Sequence, residues 1–319
     1  MIRMGLVSNL QSRRNKRGLG RIESMLARRR DVIHIPIESN SSASEILAEL
    51  ARREVTVVAV NGGDGTVQRM LTPLLAASPF ETQPILAALP GGTTNLIARD
   101  LGFRSGLRHS LIRLLDMVDN GQMDNVVGWR HVMLVRNLNG HPPQGCMFFC
   151  TAILAKAIAR YQDWRGHRKR DALADLASSL ARTAGACAGI QSASTMAAAD
   201  RIHVFLDERN CGDRDRFLMF VTTLERLIFG LKPYWNWHGE PLRFTSVAYP
   251  PRRLLRSVLH ISLGRNGADL PQETYESGGA NRITMRLRGP VALDGELFVP
   301  TPAQPIVITS GPLMPFVQA

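Results

Sequence analysis

The sequence predicts an α/β domain followed by an antiparallel β-sandwich domain. Up to Gln122, short apolar runs alternate with helical patterns, which is typical of a parallel sheet with connecting helices. After Gln122 this alternation stops, and strand-like runs follow one another with polar or Gly/Pro loops between them. The length of 319 residues also suits two domains. We therefore predict domains over 1–123 and 124–304, with 305–319 as a candidate to pack back on the first.

The first domain contains four predicted strands and the helices between them. The strands are 3–8, 32–37, 55–60 and 85–89. Ser42 and Glu45 have the spacing of a capping box, which predicts that a helix begins there. Pro73 falls inside the helix that follows the third strand and should kink or break it.

The stretch 55–66, VTVVAVNGGDGT, predicts a phosphate site. A buried strand ends in a turn with Gly62, Gly63 and Gly65, which lets the backbone approach a ligand closely. This turn ends at Thr66, and a helix follows. The backbone amides of the turn and of the start of that helix would point at one anion. Asp64 would repel a bare phosphate, so it suits holding Mg²⁺ through water or positioning a hydroxyl. The alternative is a glycine turn without a ligand.

Two further loops follow neighbouring strands of the predicted sheet. The segment 90–95, PGGTTN, is a second strand–glycine turn–helix unit, so that two turns could clamp one polyphosphate. The basic loop 9–20 follows the first strand, at the edge of the sheet where ligands bind. Its Asn9, Ser12 and Arg13 could reach phosphates, although a solvated basic loop explains them equally well.

The second domain is predicted to be rich in strands. They are expected at 126–135, 202–206, 217–222, 242–249, 258–263 and 282–288. A helical insertion is expected near 148–186, either as a core helix or as a surface for an acyl chain or bilayer. Near the end, Asp294 and Glu296 in VALDGELF form either a plain hairpin turn or a pair of catalytic carboxylates.

Composition restricts the partners and the compartment. The net charge of +12 favours anionic partners, but no nucleic-acid motif is evident, so we expect no nucleic-acid partner. The four cysteines show no zinc spacing and are interpreted as free thiols. Without a membrane span or a signal peptide, a cytoplasmic protein is expected.

Taken together, NGGDGT, PGGTTNLIARDLG and LDGE resemble the diacylglycerol kinase catalytic family, which includes bacterial lipid kinases and the sphingosine and ceramide kinases. The resemblance implies a Rossmann-like nucleotide domain and a C-terminal antiparallel β-sandwich domain that takes the lipid substrate. It also implies ATP and Mg²⁺ as cofactors and a diacylglycerol- or sphingoid-like lipid alcohol as acceptor. Transient contact with an anionic membrane surface and a homodimer are expected as well.

The resemblance also implies roles for individual residues. The family's first loop reads Asn-Pro-x-Ser-Gly, so that Asn9 and Ser12 match, while Leu10 and Arg13 depart from it. The ATP-binding set would be Asn9, Ser12, Arg13, Gly62, Gly63, Asp64, Gly65 and Thr66, with Gly92, Thr93 and Asn95 as a second wall. Glu296 and Asp294 would be the catalytic pair, with Asp64 as a third candidate and as metal ligand. Leu96 stands where the family usually has an Asp.

Two other functions remain open on sequence alone. An NAD-kinase-like enzyme with a soluble substrate would share the GGDGT turn. A nucleotide-binding regulatory protein that has lost catalysis would account for Leu96.

Overall fold

The computed structural model describes residues 2–12, 15–27, 29, 31–38, 41–165, 199–262, 265 and 267–319. Two compact units are present. The first unit comprises Met1–Val132 with Gly311–Ala319, and the second comprises Met133–Ser310. The predicted helical insertion near 148–186 falls partly on residues 166–198, which lie outside the described residues.

The first unit is an α/β domain, as predicted. Its strands are β1 (Met4–Asn9), β2 (Val32–Ile37), β3 (Val57–Gly62) and β4 (Ile85–Pro90), and its helices are α1 (Asn15–Leu26), α2 (Ala43–Arg52), α3 (Asp64–Ala77), α4 (Leu96–Asp100), α5 (Leu107–Asp119) and α6 (Met123–Val126). The strands pair in parallel in the order β2-β1-β3-β4. Phe316, near the end of the chain, pairs in parallel with Leu86 of β4.

The strand order places a topological switch point between β1 and β3. From β1 the chain moves to β2 on one side, and β3 then lies on the other side of β1. Every residue of β3 is buried, as expected for a strand covered on both faces. Ligands of open α/β sheets bind outside the carboxyl ends of the strands at such a switch point.

Two local sequence signals in the helices, a capping box and a proline, can be compared with the structure. The backbone N–H of Glu45 donates to Ser42 Oγ at 3.3 Å, which confirms the start of α2. Of the two outcomes predicted at Pro73, a kink or a break, the break is wrong, because α3 runs from Asp64 to Ala77 as one helix. Its buried face, which includes Met70, Leu71 and Leu74, holds it against the domain on both sides of the proline.

The second unit is rich in antiparallel strands, as predicted. They are β5 (Val127–Arg136), β6 (Gln144–Cys146), β7 (Phe148–Ala152), β8 (Asp200–Leu206), β9 (Arg209–Thr222), β10 (Leu242–Ala248), β11 (Tyr275–Ala280), β12 (Arg282–Arg286), β13 (Val291–Leu293), β14 (Glu296–Phe298) and β15 (Ile306–Val317). β5 begins in the first unit and β15 ends there. β9 is the central strand of the unit, since it pairs with β7, β8 and β10. Phe149, Val221 and Ile283 belong to the main core cluster.

Two predicted elements of the second unit differ from the structure in part or in full. The start of the helical insertion is strand β7, and the helix, α7, covers Ile153–Arg165. Residues 258–262 of the predicted strand 258–263 belong instead to a helix, α8 (Leu254–Ser262), so this strand is wrong. Leu254 and Ile261 lie two helical turns apart on the same face of α8. Both pack against the cluster around Trp235 and Tyr275. A short apolar run fits both periods, and here tertiary packing selects the helix.

No helix in the described part of the chain is long and apolar enough to span a membrane. Cys146, Cys150 and Cys211 are free thiols. Cys187 lies outside the described residues.

Candidate functional site

The carboxyl ends of β1 and β3 are tied together by asparagine side chains. Asn9 Nδ2 donates to Thr66 Oγ1 at 2.9 Å. Asn15 Nδ2 donates to the carbonyl oxygens of Asn9 at 2.8 Å and Asn61 at 3.1 Å. Asn15 is buried, and its Oδ1 has no partner among the described residues. Asn15 was not predicted from the sequence. The signal that could have identified it is an amide side chain at the start of a helix, directly after the loop that follows the first strand.

The first glycine turn leads directly from β3 into α3. Gly63 is the N-cap and contributes no side-chain cap. A Cβ on Gly62 would lie 2.5 Å from the Thr66 side chain, so this turn needs glycine. Because the first amides of a helix have no partner within the helix, the turn presents N–H groups and the positive helix end at the edge of the sheet.

The second glycine turn lies directly against the first. Gly91 N donates to the Gly62 carbonyl oxygen at 3.0 Å. A Cβ on Gly92 would lie 2.4 Å from Gly63 Cα. The structure thus brings the stretches 61–66 and 90–95 into backbone contact, at the neighbouring ends of β3 and β4.

Asn95 shapes the second turn. It adopts a left-handed conformation with φ of 51°. Its Oδ1 accepts from Gly92 N at 2.8 Å, and its Nδ2 donates to the Gly92 carbonyl at 3.1 Å. Thr93 is half-buried in the same turn. The amide of Asn95 is therefore used within the turn, so we interpret Asn95 as a positioning residue.

The predicted residues of the first loop divide into two groups. Asn9 is at the end of β1, and Ser12 is buried, with its N–H donating to the Asn9 carbonyl at 3.1 Å. Arg13 lies outside the described residues.

Asp64 is a buried carboxylate between the two turns. Its Oδ1 accepts from Ile97 N at 3.0 Å and so caps α4, whose own N-cap residue makes no side-chain cap bond. Burial raises the pKa of Asp64, whereas hydrogen bonds from backbone amides such as that of Ile97 lower it. Position 96 carries Leu and therefore supplies no carboxylate here. Asp64 caps α4 and is also the candidate to hold a metal.

A chain of polar groups supports β3 from the side of β1 and β2. Asn61 Nδ2 donates to Ser8 Oγ at 3.0 Å, and Ser8 Oγ lies 2.9 Å from His34 Nε2. Since Ser8 accepts from Asn61, its hydroxyl proton can go to His34 only if Nε2 is unprotonated. Burial lowers the pKa of His34, which favours this unprotonated state of the ring.

Asp294 and Glu296 lie on a hairpin of the second unit. β13 and β14 pair with each other, and the turn residues Asp294 and Gly295 have φ of 47° and 93°. Positive φ at both positions is the pattern of a type I′ turn, a geometry that is compatible with either interpretation of this segment.

The two carboxylates of this hairpin have different surroundings. Asp294 is 4% exposed and accepts from Met147 N at 3.0 Å and Phe148 N at 2.8 Å. Glu296 is exposed. Asp294 thus holds the turn on the start of β7, whereas the carboxylate of Glu296 is open to solvent.

The first unit fits a phosphate group better than a metal held by protein alone. Throughout the described ranges, no group of three or more His, Cys, Asp or Glu side chains could hold a metal ion. The glycine turns, in contrast, form a cradle that a Cβ would fill. Asn61 Oδ1, for which the described residues supply no partner, lies close to Gly91 and is an acceptor, so it suits a donor such as a water or a ligand hydroxyl rather than a phosphate oxygen.

Comparisons with known proteins match the first unit to one family of catalytic domains. Residues 3–126 match the model of the diacylglycerol kinase catalytic domain. A diacylglycerol kinase of Bacillus subtilis (strain 168) is 35% identical over 79 residues, which is 25% of this chain and 24% of that protein. The match therefore spans about a quarter of the relative's length.

Solved structures of two kinds resemble the whole chain. A diacylglycerol kinase from Bacillus anthracis str. Sterne has a TM-score of 0.62 at 17% identity, with 99% of this chain and 97% of the other covered. An NAD kinase from Archaeoglobus fulgidus, in complex with ATP, has a TM-score of 0.51 at 12% identity, with 98% and 93% covered. At such identities, the likeness shows the fold alone.

The fold is thus the two-domain α/β fold that these diacylglycerol and NAD kinases share. Within it, residues 3–126 match the model of the diacylglycerol kinase catalytic domain, the family that the sequence motifs resemble.

Proposed function

We propose that the protein transfers the γ-phosphoryl group of ATP to a hydroxyl of a diacylglycerol- or sphingoid-like lipid. The observation that carries this proposal is the backbone contact between the two glycine turns at the carboxyl ends of β3 and β4, next to the β1–β3 switch point. The family of residues 3–126 supports the choice of reaction.

On the nucleotide side, the backbone amides of the two glycine turns bind phosphate oxygens. The hydrogen bonds of the Asn9 and Asn15 side chains hold the carboxyl ends of β1 and β3 together. Mg²⁺, bound with ATP, would neutralise charge on the transferred group, and Asp64 is the carboxylate at this edge that would help to hold it. Phosphoryl transfer depends mainly on positioning and electrostatics, so preformed backbone donors suit it.

On the acceptor side, Glu296 takes the proton of the attacking hydroxyl. The lipid oxygen forms a bond to the γ-phosphorus, the bond from that phosphorus to the β,γ-bridging oxygen breaks, and ADP leaves. Glu296 suits this role because it is exposed, whereas the oxygens of Asp294 accept the amides of Met147 and Phe148. We therefore assign Asp294 as the positioning residue of the pair.

The assignment of Glu296 is tested by replacing it with glutamine. General-base catalysis contributes on the order of 10²–10⁴ in rate, so Glu296→Gln should lower turnover by about that factor. Glu208→Gln is the matched control, because Glu208 is exposed in the β8–β9 hairpin connection. Transfer of γ-³²P from ATP into an organic-soluble product measures the rate. An unchanged rate in Glu296→Gln would remove Glu296 from the mechanism.

An NAD-kinase-like activity is the second candidate, and the shared fold with the A. fulgidus enzyme favours keeping it. The same labelled ATP, offered with a total lipid extract or with NAD, separates the two. Label in the organic phase supports a lipid acceptor, whereas label on NAD contradicts it. Binding of ATP without label in either would support a regulatory protein.

We also propose that α8 contacts anionic membrane surfaces. Val258 and Leu259 are 53% and 59% exposed, and the neighbouring Arg252, Arg253 and Arg256 are exposed too. An exposed apolar pair with arginines next to it fits the interface of an anionic bilayer.

Vesicle sedimentation tests this contact. Replacement of Val258 and Leu259 by Ser should weaken binding to phosphatidylglycerol vesicles, while the control Val299→Ser, at a position that is 63% exposed, should not. Equal binding to phosphatidylcholine vesicles would contradict the proposal.

The homodimer stays a prediction, which analytical ultracentrifugation can test.

A further inference from the structure

The second unit contains a polar cavity of about 560 Å³ that the proposed reaction does not use. Its walls come mainly from β9, β10 and the start of β11. The lining residues with charged side chains are Arg209, Arg214, Arg216, Glu273 and Glu276. Most of the remaining lining residues carry hydroxyl or amide groups, so the cavity suits a hydrophilic ligand rather than an acyl chain.

Arg216 is a buried cation with incomplete pairing. Its side chain is nearly inaccessible, since the residue is 3% exposed. Nη1 donates to the neutral Ser246 Oγ at 2.5 Å and lies 3.9 Å from Glu276 Oε2, while Nε has no partner among the described residues. An arginine cannot relieve its burial by losing a proton, so a buried guanidinium without a close carboxylate is costly.

The neighbouring charges leave this cavity positive. Glu276 Oε1 accepts from Arg209 Nη2 at 2.7 Å, so the carboxylate that lies 3.9 Å from Arg216 is shared between two arginines. Arg214 adds a third positive charge to the lining. Burial lowers the pKa of Arg216, and the like charge of Arg214 lowers it further, although Glu276 opposes both effects.

The cavity is separate from the carboxylate hairpin within the same unit. Phe148, whose amide binds Asp294, pairs with Thr222 at one end of β9. Arg216 is six residues back along β9, which is about 20 Å of extended strand. A ligand in the cavity would therefore occupy a second site in this unit.

We propose that this cavity, which we call the arginine pocket, binds the phosphate dianion of a small phosphorylated molecule. A phosphate group would supply acceptors to Arg216 and Arg214 together and would relieve the unpaired positive charge between them. The hydroxyl and amide groups of Ser246, Asn236 and Gln272 would hold the rest of the molecule. This site goes beyond the proposed kinase reaction and does not depend on it.

Cys211 provides a probe inside the arginine pocket, because it lines the cavity and is partly exposed. The rate of its alkylation by iodoacetamide is measured in the full-length protein by peptide mass spectrometry, which separates Cys211 from the other cysteines. The ligands are inorganic phosphate, glycerol 3-phosphate and dihexanoyl phosphatidic acid, each at millimolar concentrations, with sulfate as reference. The variants are Arg214→Gln and, as matched control, Arg201→Gln, since Arg201 is exposed on β8 outside the lining.

We expect saturable protection of Cys211 by a phosphate ligand, with the dissociation constant raised about tenfold in Arg214→Gln and unchanged in Arg201→Gln. Tighter binding of glycerol 3-phosphate than of the phosphatidic acid would assign a free metabolite, and the reverse order would assign a lipid headgroup; both support the site. Absence of saturable protection by any phosphate ligand would overturn the proposal. Protection that sulfate matches and that Arg214→Gln leaves intact would overturn it too.

Discussion

Gly92 sets the distance between the two glycine turns. A methyl group there would meet the Gly63 backbone at 2.4 Å, and backbone cannot move aside as a flexible side chain can. We expect Gly92→Ala to force the turns apart, to destabilise the protein by about 1–3 kcal/mol and to weaken ATP binding. Thermal unfolding with and without ATP measures both effects.

The control for this substitution is Gly20→Ala, because an added Cβ at Gly20 in α1 meets nothing within 4 Å. It should leave stability and ATP binding at or above the original level. Unimpaired ATP binding in Gly92→Ala would show that the contact between the turns is not needed for the nucleotide.

His34 should make stability depend on pH. Burial lowers its pKa below the ordinary value of 6.5, so the unfolded chain takes up a proton before the folded protein does. The free energy of unfolding should therefore fall as pH drops below about 6.5 toward the lowered pKa. His34→Gln should flatten this slope in urea titrations, whereas His109→Gln, at an exposed position of α5, should retain it. Equal slopes in all three proteins would contradict the role of His34.

At the scale of elements, the capping box of α2 offers a direct test of local sequence signals. Ser42 Oγ accepts the Glu45 amide in the structure, so Ser42→Ala should lower the free energy of unfolding by about 1 kcal/mol. Ser44→Ala, at an exposed position in the first turn, is the matched control. Urea unfolding measures both, and an equal effect of the two substitutions would mean that the cap does not stabilise α2.

Elements with a strong local signal were predictable, and those decided by packing were not. β3 is a continuous apolar run before a glycine turn, which fits few other structures. α8 carries an apolar run that suits a strand as well as a helix, and its contacts with the Trp235 cluster decide between them. The same limit applies to β7, whose apolar residues continue into α7 without a break in the pattern.

The motifs located the candidate site, but the roles within it depend on long-range contacts. The two glycine turns could be placed from sequence because each follows a strand and precedes a helix. The burial of Asp294 could not, because its partners, Met147 and Phe148, lie in a distant part of the chain. Nor could the tie that Asn15 forms between β1 and β3, since it depends on the strand order.

At the scale of the whole molecule, the proposed function depends on one site, the edge of the parallel sheet where β1, β3 and β4 end. A nucleotide held there would cover the amides of both glycine turns at once, because the turns are in backbone contact. Hydrogen–deuterium exchange reports on those amides directly and needs no knowledge of the acceptor.

The decisive measurement is hydrogen–deuterium exchange of the whole protein with and without ATP and Mg²⁺, with α2 as internal reference. We predict slower exchange in peptides covering 61–66 and 90–95, and unchanged exchange in 43–52. Slowed exchange confined to the second unit, or binding of ATP with both glycine turns unaffected, would contradict the account.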